Sequence, residues 1–537
     1  MVAESLGSYH LMHLENVLSD LAALAANEST RPEFNGKPQL IHDIATNLQN
    51  GTSKVQFQCL RVLGNICADN NINRDLVMQD EVFAQALKSS LSAAGEQNKT
   101  IKHTSIIVAF NFCNDYESAQ KYLIDNGFVT VFFDLLDQLH DEDISEYIMR
   151  ILDMLVLNES MSEDALPPSA LHSVIQAIDH SSMAEYSILI TTVLSYNSFR
   201  LRAIEDNQFH LRKLCALYEI MAQSVEADDN CDTLKDILGT LADISGVDGF
   251  IDKVSWDHDL VQLWRRWILK DGSGSGVCSL RTAGLTVLGN LALNEDACIK
   301  VVHDLQLHKD IIGAVIMMSS APELHAAGGF LKNLSISQEN KRLLVEANAF
   351  AAVKKIINED ISPQVVFSGL SVLRQLVINS YENARDLAKS NAENGILSRC
   401  LEIGQKSDEK ALKIETGRLL CEFIRSTARL ARTNELLLLL TGAFSNDIAQ
   451  VKLLFEIILR LLLDQDQGST FIPGTMTAWS LFAQCQEAKM LLVALLDERN
   501  DLTDRLRQLV ENPQVSREVI MSIDAIFVVL GYPRKGP

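Results

Sequence analysis

An eight-residue pattern recurs nine times along this chain and constrains its fold more than any other feature of the sequence. The copies start 42 to 48 residues apart, at Leu60, Ile106, Ile148, Ile190, Leu238, Leu285, Gly328, Leu370 and Gly417. A repeat of that length is one supersecondary unit, which buries its apolar face only against its neighbours. The chain is therefore expected to form a stacked array of repeats without a single central core.

Within each copy, the first, fourth, seventh and usually eighth residues are apolar or small, as in Leu60-Arg-Val-Leu-Gly-Asn-Ile-Cys67. This spacing places them on one face of a helix. Only ten prolines in 537 residues, with an apolar share of 47%, suit long helices with few rigid turns. Pattern and period together predict an all-α, armadillo-type helical-repeat superhelix, a solenoid of two- or three-helix units.

The sixth residue of the pattern is polar in all nine copies. Equivalent positions on successive helices of a solenoid line up along one surface, so the series predicts a ladder of hydrogen-bonding groups facing a groove. The alternative is a local structural role for each side chain at the adjacent turn. The nine residues are Asn65, Asn111, Asp153, Ser195, Asp243, Asn290, Asn333, Gln375 and Glu422.

Turn-forming residues separate the copies, two longer breaks interrupt the chain, and the pattern blurs after about Ser426, so four segments are predicted. The breaks are Asp271–Gly276, which is rich in glycine, and 466–474. Residues 1–50 are predicted to form N-terminal capping helices, 51–270 the N-terminal armadillo repeats with an acidic groove, 271–430 the C-terminal armadillo repeats, and 431–537 the last repeats with a C-terminal cap.

The net charge of −23, from 47 basic and 70 acidic side chains, disfavours binding to nucleic acid or to anionic membranes. A basic partner is its natural complement. The longest apolar run, Leu436 to Phe444, is too short to cross a bilayer. Ten cysteines without a C-x-x-C pair indicate buried free thiols in a reducing compartment. A cytoplasmic protein, with the nucleus as a second location, is expected.

The sequence contains none of the strings that carry common catalytic or metal chemistry. The nearest histidine pairs, His10 with His13 and His303 with His308, lack the Glu or Cys partners of a zinc site. No H-E-x-x-H, G-x-S-x-G, kinase or P-loop string occurs. We therefore expect a binding protein and not an enzyme, with no cofactor and no metal.

Four segments, Leu60–Asn70, Leu331–Ile336, Val372–Val377 and Glu415–Leu420, resemble the small GTPase GDP dissociation stimulator family (SmgGDS) in letters, order and spacing. The likeness is clearest over 280–430. It implies a guanine-nucleotide exchange factor and chaperone for Rho- and Ras-type GTPases whose C-termini are polybasic and prenylatable. By this resemblance the C-terminal repeats hold the GTPase domain through Asn290, Lys332, Asn333, Arg374, Gln375, Glu415 and Arg418.

In the resembled family the basic tail and lipid of the client are received towards the N-terminus. We place the tail at the middle of the polar ladder, at Asp153, Ser195 and Asp243. A lipid pocket near Phe110, Phe112, Phe128, Phe132 and Phe133 is one interpretation of that cluster, and ordinary helical core is the other. For Arg374 and Arg418 the alternative to GTPase contact is a surface ion pair, such as Arg418 with Glu422.

Two other functions stay open from the sequence. One is a passive armadillo adaptor, of the catenin or nuclear-import type, that binds basic peptide segments. Import receptors pair groove asparagines with regularly placed tryptophans, whereas Trp256, Trp264, Trp267 and Trp479 show no repeat phase. The other is an exchange chaperone for heterotrimeric G-protein α subunits.

Overall fold

The computed structural model describes residues 5–6, 11–93, 95, 98–138, 142–178, 183–205, 208–224, 232–254, 256, 259–358, 362–461, 468–515 and 517–531. Throughout these residues the regular secondary structure is helical, without a β-strand. The chain divides into two compact units, with the boundary between Val254 and Ser255. The segment boundaries expected at 50, 270 and 430 stay predictions.

The first unit consists of helices in groups of two or three. They are α1 (Leu11–Ala26), α2 (Pro38–Asn50), α3 (Ser53–Cys67), α4 (Asn71–Met78), α5 (Phe83–Leu91), α6 (Lys99–Cys113), α7 (Glu117–Asp125), α8 (Phe128–Gln138), α9 (Glu142–Val156), α10 (Ala170–Ala177), α11 (Met183–Val193), α12 (Asn197–Ala203), α13 (Phe209–Ser224), α14 (Asp232–Ser245) and α15 (Phe250–Lys253). Short 3-10 turns occupy Glu28–Phe34 and Glu163–Ala165.

The second unit continues in groups of three. Its helices are α16 (Asp259–Ile268), α17 (Ser275–Leu291), α18 (Glu295–His303), α19 (Leu307–Met317), α20 (Ala321–Leu334), α21 (Asn340–Glu346), α22 (Ala349–Asn358), α23 (Pro363–Val377), α24 (Tyr381–Asn394), α25 (Ile396–Lys406), α26 (Lys410–Ser426), α27 (Glu435–Ala443), α28 (Ile448–Arg460), α29 (Gly468–Ala483), α30 (Lys489–Glu498), α31 (Asn500–Glu511) and α32 (Arg517–Leu530). A 3-10 turn lies at Ala428–Thr433.

The recurring pattern forms a row of stacked helices in each unit, which we call the row helices. In the first unit they are α3, α6, α9, α11 and α14, and in the second α17, α20, α23 and α26; each packs on the next within its unit. In the first copy the stripe residues Leu60, Leu63, Ile66 and Cys67 are fully buried. Burial of this apolar stripe is the main force that holds successive repeats together, and the predicted armadillo-type architecture is confirmed.

The repeat continues after residue 430, where the sequence pattern blurs. Helices α27–α29 and α30–α32 form two further groups of three, and the row extends as α29 packs on α26 and α32 packs on α29. Large aromatic residues support the extension: Trp479 is fully buried with its ring 6.0 Å from that of Phe455, which stacks on Phe482.

A second series of polar residues, which the sequence analysis missed, joins the repeats at their corners. Asn73 donates from Nδ2 to the carbonyl oxygens of Ile66 and Arg31, at 3.0 and 3.2 Å. Asn383 makes equivalent bonds to Leu376 and Lys341, at 3.0 and 3.1 Å. Both asparagines are fully buried. The bonds to Ile66 and Leu376 satisfy carbonyls that the C-terminal ends of α3 and α23 would otherwise leave without a donor.

Close packing between α16 and α17 requires a glycine. A Cβ built on Gly284 would lie 2.6 Å from the carbonyl oxygen of Trp264, a backbone atom that cannot swing aside. This explains a small residue within an otherwise aliphatic helix, at the position before the sixth copy of the pattern.

Among the described cysteines all but Cys278 are buried, as the sequence predicts; Cys231 lies outside the described residues. Burial raises the pKa of the thiols of Cys59, Cys67 and Cys113 to about 12. In the described part of the chain, no cluster of three His, Cys, Asp or Glu residues suits a metal ion. Nor does any described helix alone have the length and apolarity to span a membrane; α27 and α28, bent by 107°, meet that test only as a pair.

A histidine and an aspartate join α2 to the start of α5. His42 Nδ1 lies 2.9 Å from Asp80 Oδ2, while Asp80 Oδ1 accepts hydrogen bonds from the backbone N–H groups of Val82 and Phe83. The hydrogen bond and charge of Asp80, with smaller effects from Asp43 and Glu81, raise the pKa of His42 above 6.5. Protonated His42 is thus favoured in the folded state.

This contact predicts a pH-dependent stability difference. A histidine pKa that is raised by folding stabilises the protein below the unfolded value of about 6.5, and the contribution is lost as pH rises through the folded value. We expect the thermal midpoint of the His42→Gln variant to fall below that of the wild type at pH 6 and to approach it at pH 8. Equal differences at both pH values would contradict this role.

Candidate functional site

The predicted GTPase-binding residues lie on four successive row helices of the second unit. Asn290 is on α17, Lys332 and Asn333 on α20, Arg374 and Gln375 on α23, and Glu415 and Arg418 on α26. Most are partly exposed, as a contact surface requires. Glu415 is only 1% exposed.

Buried Glu415 holds two of the predicted arginines. Arg374 donates from Nε to Glu415 Oε1 at 2.7 Å, and the same oxygen accepts from Ser371 Oγ at 2.9 Å. Arg418 Nη1 lies 3.4 Å from Glu415 Oε2. Because Glu415 is enclosed by these groups, in this conformation it orients the arginines and does not present a surface of its own. Its proposed direct contact with a partner is revised to a supporting role.

The ion pair considered for Arg418 and Glu422 does not form. Glu422 pairs with Arg425 instead, at 2.6 Å. Arg418 is drawn to Glu415, three residues earlier, because that carboxylate already lies between α23 and α26. Ion pairing and contact with a GTPase are therefore compatible roles for Arg374 and Arg418, since an arginine that is oriented by a buried carboxylate can also contact a partner.

Three arginines surround a cavity of about 420 Å³ between α26 and α29. Its lining residues are Arg374, Arg418, Cys421, Glu422, Arg425, Leu461, Gly474 and Thr475. Within a chain of net charge −23, this is a locally basic recess. Arg425 and Thr475 were not among the predicted site residues, because Arg425 follows the repeated pattern and Thr475 lies where the pattern fades.

Three ladder asparagines form hydrogen bonds to a neighbouring helix, which is the local structural role considered for them in the sequence. Asn65 Nδ2 donates to the carbonyl oxygen of Ala22 on α1 at 2.9 Å, Asn111 to Gly64 on α3 at 3.2 Å, and Asn333 to Gly289 on α17 at 3.2 Å. The bonds of Asn111 and Asn333 reach one helix back along the row, and that of Asn65 reaches α1, which packs on α3. Through these bonds the amide groups connect successive repeats, while the three side chains stay partly exposed.

Lys332 and Gln375 differ from these asparagines. Both are partly exposed, and neither side chain forms an ion pair or a hydrogen bond with the residues that the structure describes. They lie on α20 and α23, which pack together. A partner that docks on this pair of helices would meet one ammonium and one amide group whose hydrogen-bonding capacity the protein does not use.

The predicted tail groove in the first unit is less acidic than its residues suggest. Asp243 forms an ion pair with Arg200 at 2.9 Å, and Arg200 also donates to the carbonyl oxygens of Leu194 and Ser195. Burial raises the pKa of Asp153, and one of its carboxylate oxygens is buried without a hydrogen-bond partner. Ser195 lies in the turn after α11, and its hydroxyl group donates to the backbone carbonyl oxygen of Thr192. Asp243 is therefore paired with a cation and Asp153 is partly buried, so neither is a fully exposed, unpaired carboxylate.

The phenylalanine cluster is mainly core. Phe112, Phe128, Phe132 and Phe133 are fully buried, and Phe112 packs against Phe83 with ring centroids 5.3 Å apart. Phe110 is partly exposed and meets Tyr147 edge to face at 5.3 Å. Four of the five phenylalanines are therefore ordinary helical core.

The four tryptophans cannot serve as a stacking ladder. Trp264, Trp267 and Trp479 are at most 1% exposed, and Trp256 is 6% exposed. They fill the second unit's interior, so no indole ring is available on the surface to stack on a lysine stem.

Comparisons with known proteins bear on both the fold and the family. Residues 8–245 match a family model described as the BEM4 N-terminal domain (BEM4-like). The chain is 24% identical over 420 residues to Rap1 GTPase-GDP dissociation stimulator 1-B of Xenopus laevis, a match that covers 75% of this chain and 67% of the frog protein. It is 23% identical over 403 residues to the GTPase-GDP dissociation stimulator vimar of Drosophila melanogaster, covering 70% of this chain and 59% of the fly protein.

A solved structure supports the architecture independently. A chain from a study titled "A conserved phosphorylation switch controls the interaction between cadherin and beta-catenin in vitro and in vivo" aligns with a TM-score of 0.56 and 13% identity, over 95% of this chain and 100% of its own length. At this identity the match shows the fold alone. The resemblance to GDP dissociation stimulators that the sequence predicts is confirmed by the frog and fly relatives.

Proposed function

We propose that this chain, a relative of the GTPase-GDP dissociation stimulators, binds a Rho- or Ras-type small GTPase and promotes the release of its GDP. The relatives support the general role, and the chain spans about two thirds of the length of the frog protein. The structural observation that carries the proposal is the surface of α20, α23 and α26. It presents Lys332 and Gln375 beside arginines that Glu415 orients.

An exchange factor of this kind needs no covalent chemistry. A protein that binds nucleotide-free GTPase more tightly than the GDP-bound form must, by linkage, weaken GDP binding by the same factor. A broad surface that grips the parts of the GTPase around its nucleotide suits this task. Row helices provide such a surface because they are held rigidly by their buried stripes.

The arginines are well prepared for this contact. Because Arg374 is held at 2.7 Å by Glu415, it has less rotamer freedom to lose on binding than a free surface arginine. We propose that Arg374 and Arg418, with Lys332, Asn333 and Gln375, meet the GTPase, that Asn290 continues this surface on α17, and that Glu415 acts from behind it.

The chaperone part of the proposal concerns the GTPase tail. The chain's net charge of −23 attracts a polybasic segment over distances set by the salt concentration. We propose that the first unit receives this tail near Asp153, Ser195 and Asp243, with its prenyl group close by. Arg200 limits the charge there, so the long-range field contributes more to attraction than any single ion pair.

This division predicts a strong salt dependence of association. Raising the salt concentration from about 50 to 300 mM should slow association with a GTPase that carries its basic tail by roughly tenfold. The same GTPase with its tail lysines and arginines replaced by glutamine should show a much smaller slope. Stopped-flow fluorescence measures both rates, and equal salt slopes for the two GTPases would contradict tail attraction.

The two other candidate functions lack a supporting observation. A peptide adaptor of the import type needs stacking tryptophans and free asparagine donors, whereas here the tryptophans are buried and three ladder asparagines bind backbone carbonyls. A role with heterotrimeric α subunits is not supported by a particular feature of the surface. Both serve as comparison arms of the experiment.

The decisive experiment compares nucleotide release from several G proteins side by side. Rho-type, Ras-type and heterotrimeric α subunits are loaded with a fluorescent GDP analogue and mixed with this protein and excess GTP. Faster release from small GTPases with basic tails is the expected result. No acceleration of any of them, together with stable binding of basic peptides, would replace the proposal with the adaptor function.

A further inference from the structure

The recess between α26 and α29 is lined mainly by basic residues, whereas the chain as a whole is strongly acidic. Its lining carries three arginines, Arg374, Arg418 and Arg425, against one glutamate, Glu422, with Glu415 behind it. Counting these five groups, the recess has a net charge of +1. Lys341 on α21 is not part of this count, because it does not line the recess and its ammonium group donates to the carbonyl oxygen of Ile378 at 2.7 Å.

Arg374 and Arg425 retain hydrogen-bonding capacity at the recess. Arg374 is held through Nε only, and its Nη groups take no partner among the described residues. Arg425 uses one Nη group to bind Glu422 and is 46% exposed. Guanidinium groups of this kind bind carboxylates through two parallel hydrogen bonds. The existing pairs with Glu415 and Glu422 show that carboxylates fit the geometry here.

We infer that this recess receives one carboxylate side chain of the bound GTPase. The inference rests on the proposed function, because the acid comes from the GTPase. A single carboxylate neutralises the net charge of +1, whereas a dianionic phosphate would leave an excess of negative charge next to Glu422. A cavity of about 420 Å³ is large enough for an acidic side chain with a few waters. Thr475 also lines the recess, but it is fully buried and its hydroxyl lies 4.0 Å from Cys421 Sγ.

The recess also assigns a role to the region after residue 430. Gly474 and Thr475 on α29 form one wall, and Leu461, just after α28, contributes an apolar side. These residues belong to the helices after residue 430, where the recurring pattern is difficult to recognise in the sequence. The last repeats therefore complete a binding site together with α23 and α26, in addition to covering the end of the row.

Arg425 is the residue that tests the inference, because it lies outside the set expected from the family resemblance. Arg425→Gln should weaken binding of nucleotide-free GTPase by about tenfold, the typical effect of losing one well-placed charged hydrogen-bond pair. Arg432→Gln is the matched control: Arg432 is exposed, lies in the 3-10 turn after α26 and does not line the recess. It should bind like the wild type.

A double-mutant cycle then identifies the acid. Each surface Asp or Glu of the GTPase is replaced by its amide and titrated against the wild type and Arg425→Gln by isothermal calorimetry. One replacement should cost about tenfold with the wild type and add almost nothing with Arg425→Gln. Additive losses for every acid, or equal affinities of Arg425→Gln and Arg432→Gln, would overturn the inference. Absence of binding or exchange by the wild type would instead contradict the proposed function.

Discussion

Exchange on a responsive small GTPase is expected to fall by roughly 100-fold or more when Lys332→Glu and Gln375→Glu are combined. The two residues lie on adjacent row helices, α20 and α23, and are partly exposed. Neither forms an ion pair or side-chain hydrogen bond with a described residue, so the substitutions break no such bond there. Two central contacts of a protein interface, each worth about 1.4 kcal/mol or more, account for that factor.

Lys332 and Gln375 are chosen because the adjacent site residues, Asn333 and Arg374, form bonds that hold neighbouring helices together. Asn333→Asp would break the bond to Gly289, and Arg374→Glu would place a second carboxylate beside buried Glu415. Loss of exchange in either variant could then follow from damage to the row. Lys332 and Gln375 change the surface charge without that complication.

A control with the same change in charge lies on another helix of the same unit. Gln405→Glu with Lys406→Glu alters two exposed residues of α25, outside the row helices, by the same three units of charge. This variant should stimulate GDP release like the wild type. Equal exchange by both double variants would remove α20 and α23 from the GTPase interface, and circular dichroism checks that both remain helical.

The largest effect on stability is expected at a buried ion pair in the second unit. Arg281 Nη1 lies 3.0 Å from Glu323 Oε1, and the two side chains are 5% and 0% exposed. Arg281 also donates to the carbonyl oxygens of Lys270 and Gly272, while the other oxygen of Glu323 accepts from the backbone and hydroxyl of Ser320. One pair therefore holds the glycine-rich loop, α17 and the start of α20.

Glu323→Ala should lower the free energy of unfolding of this unit by about 3–5 kcal/mol. The substitution leaves the guanidinium of Arg281 buried without its carboxylate, which costs more than the intact pair contributes. It also removes the Glu323 half of the capping box at the N-terminus of α20, in which the Glu323 carboxylate accepts from the Ser320 backbone N–H. Urea denaturation followed by circular dichroism measures the loss.

The double variant Arg281→Met with Glu323→Leu separates these causes. Because both charges are removed together, it should recover much of the stability that Glu323→Ala loses. A loss below about 1 kcal/mol in Glu323→Ala would show that the pair is not important. Burial alone would raise the pKa of Glu323, but the hydrogen bonds from Ser320 and Arg281 lower it below 4.5, so this stabilisation is lost as pH falls through the folded value.

Much of the architecture could be predicted from the sequence because it depends on local periodicity. The stripe that begins at Leu60 identifies a buried helix face without any knowledge of its partner, and nine such stripes at a regular period imply a stack. The corner asparagines also had a usable signal: Asn70 and Ser380 cap helices three residues before Asn73 and Asn383. That spacing is visible in the letters alone.

The site could be predicted only in part, because its hydrogen bonds connect residues that are far apart in sequence. Asn333 reaches Gly289, 44 residues earlier, and Glu415 reaches Arg374, 41 residues earlier. On the helix alone, Glu415 and Glu422 are both within reach of Arg418. Packing of α26 against α23 brings Arg374 and Ser371 to Glu415, and this selects one of the two partners.

By itself, the sequence determined the class of fold, the period of the repeat and which helix faces are buried, because these follow from the spacing of apolar residues along one helix. Only the tertiary structure decided which polar residues remain for a partner. A side chain such as Asn333 or Lys332 looks equally available in the sequence, and the difference arises when a neighbouring helix offers Asn333 a carbonyl oxygen and offers Lys332 none among the described residues.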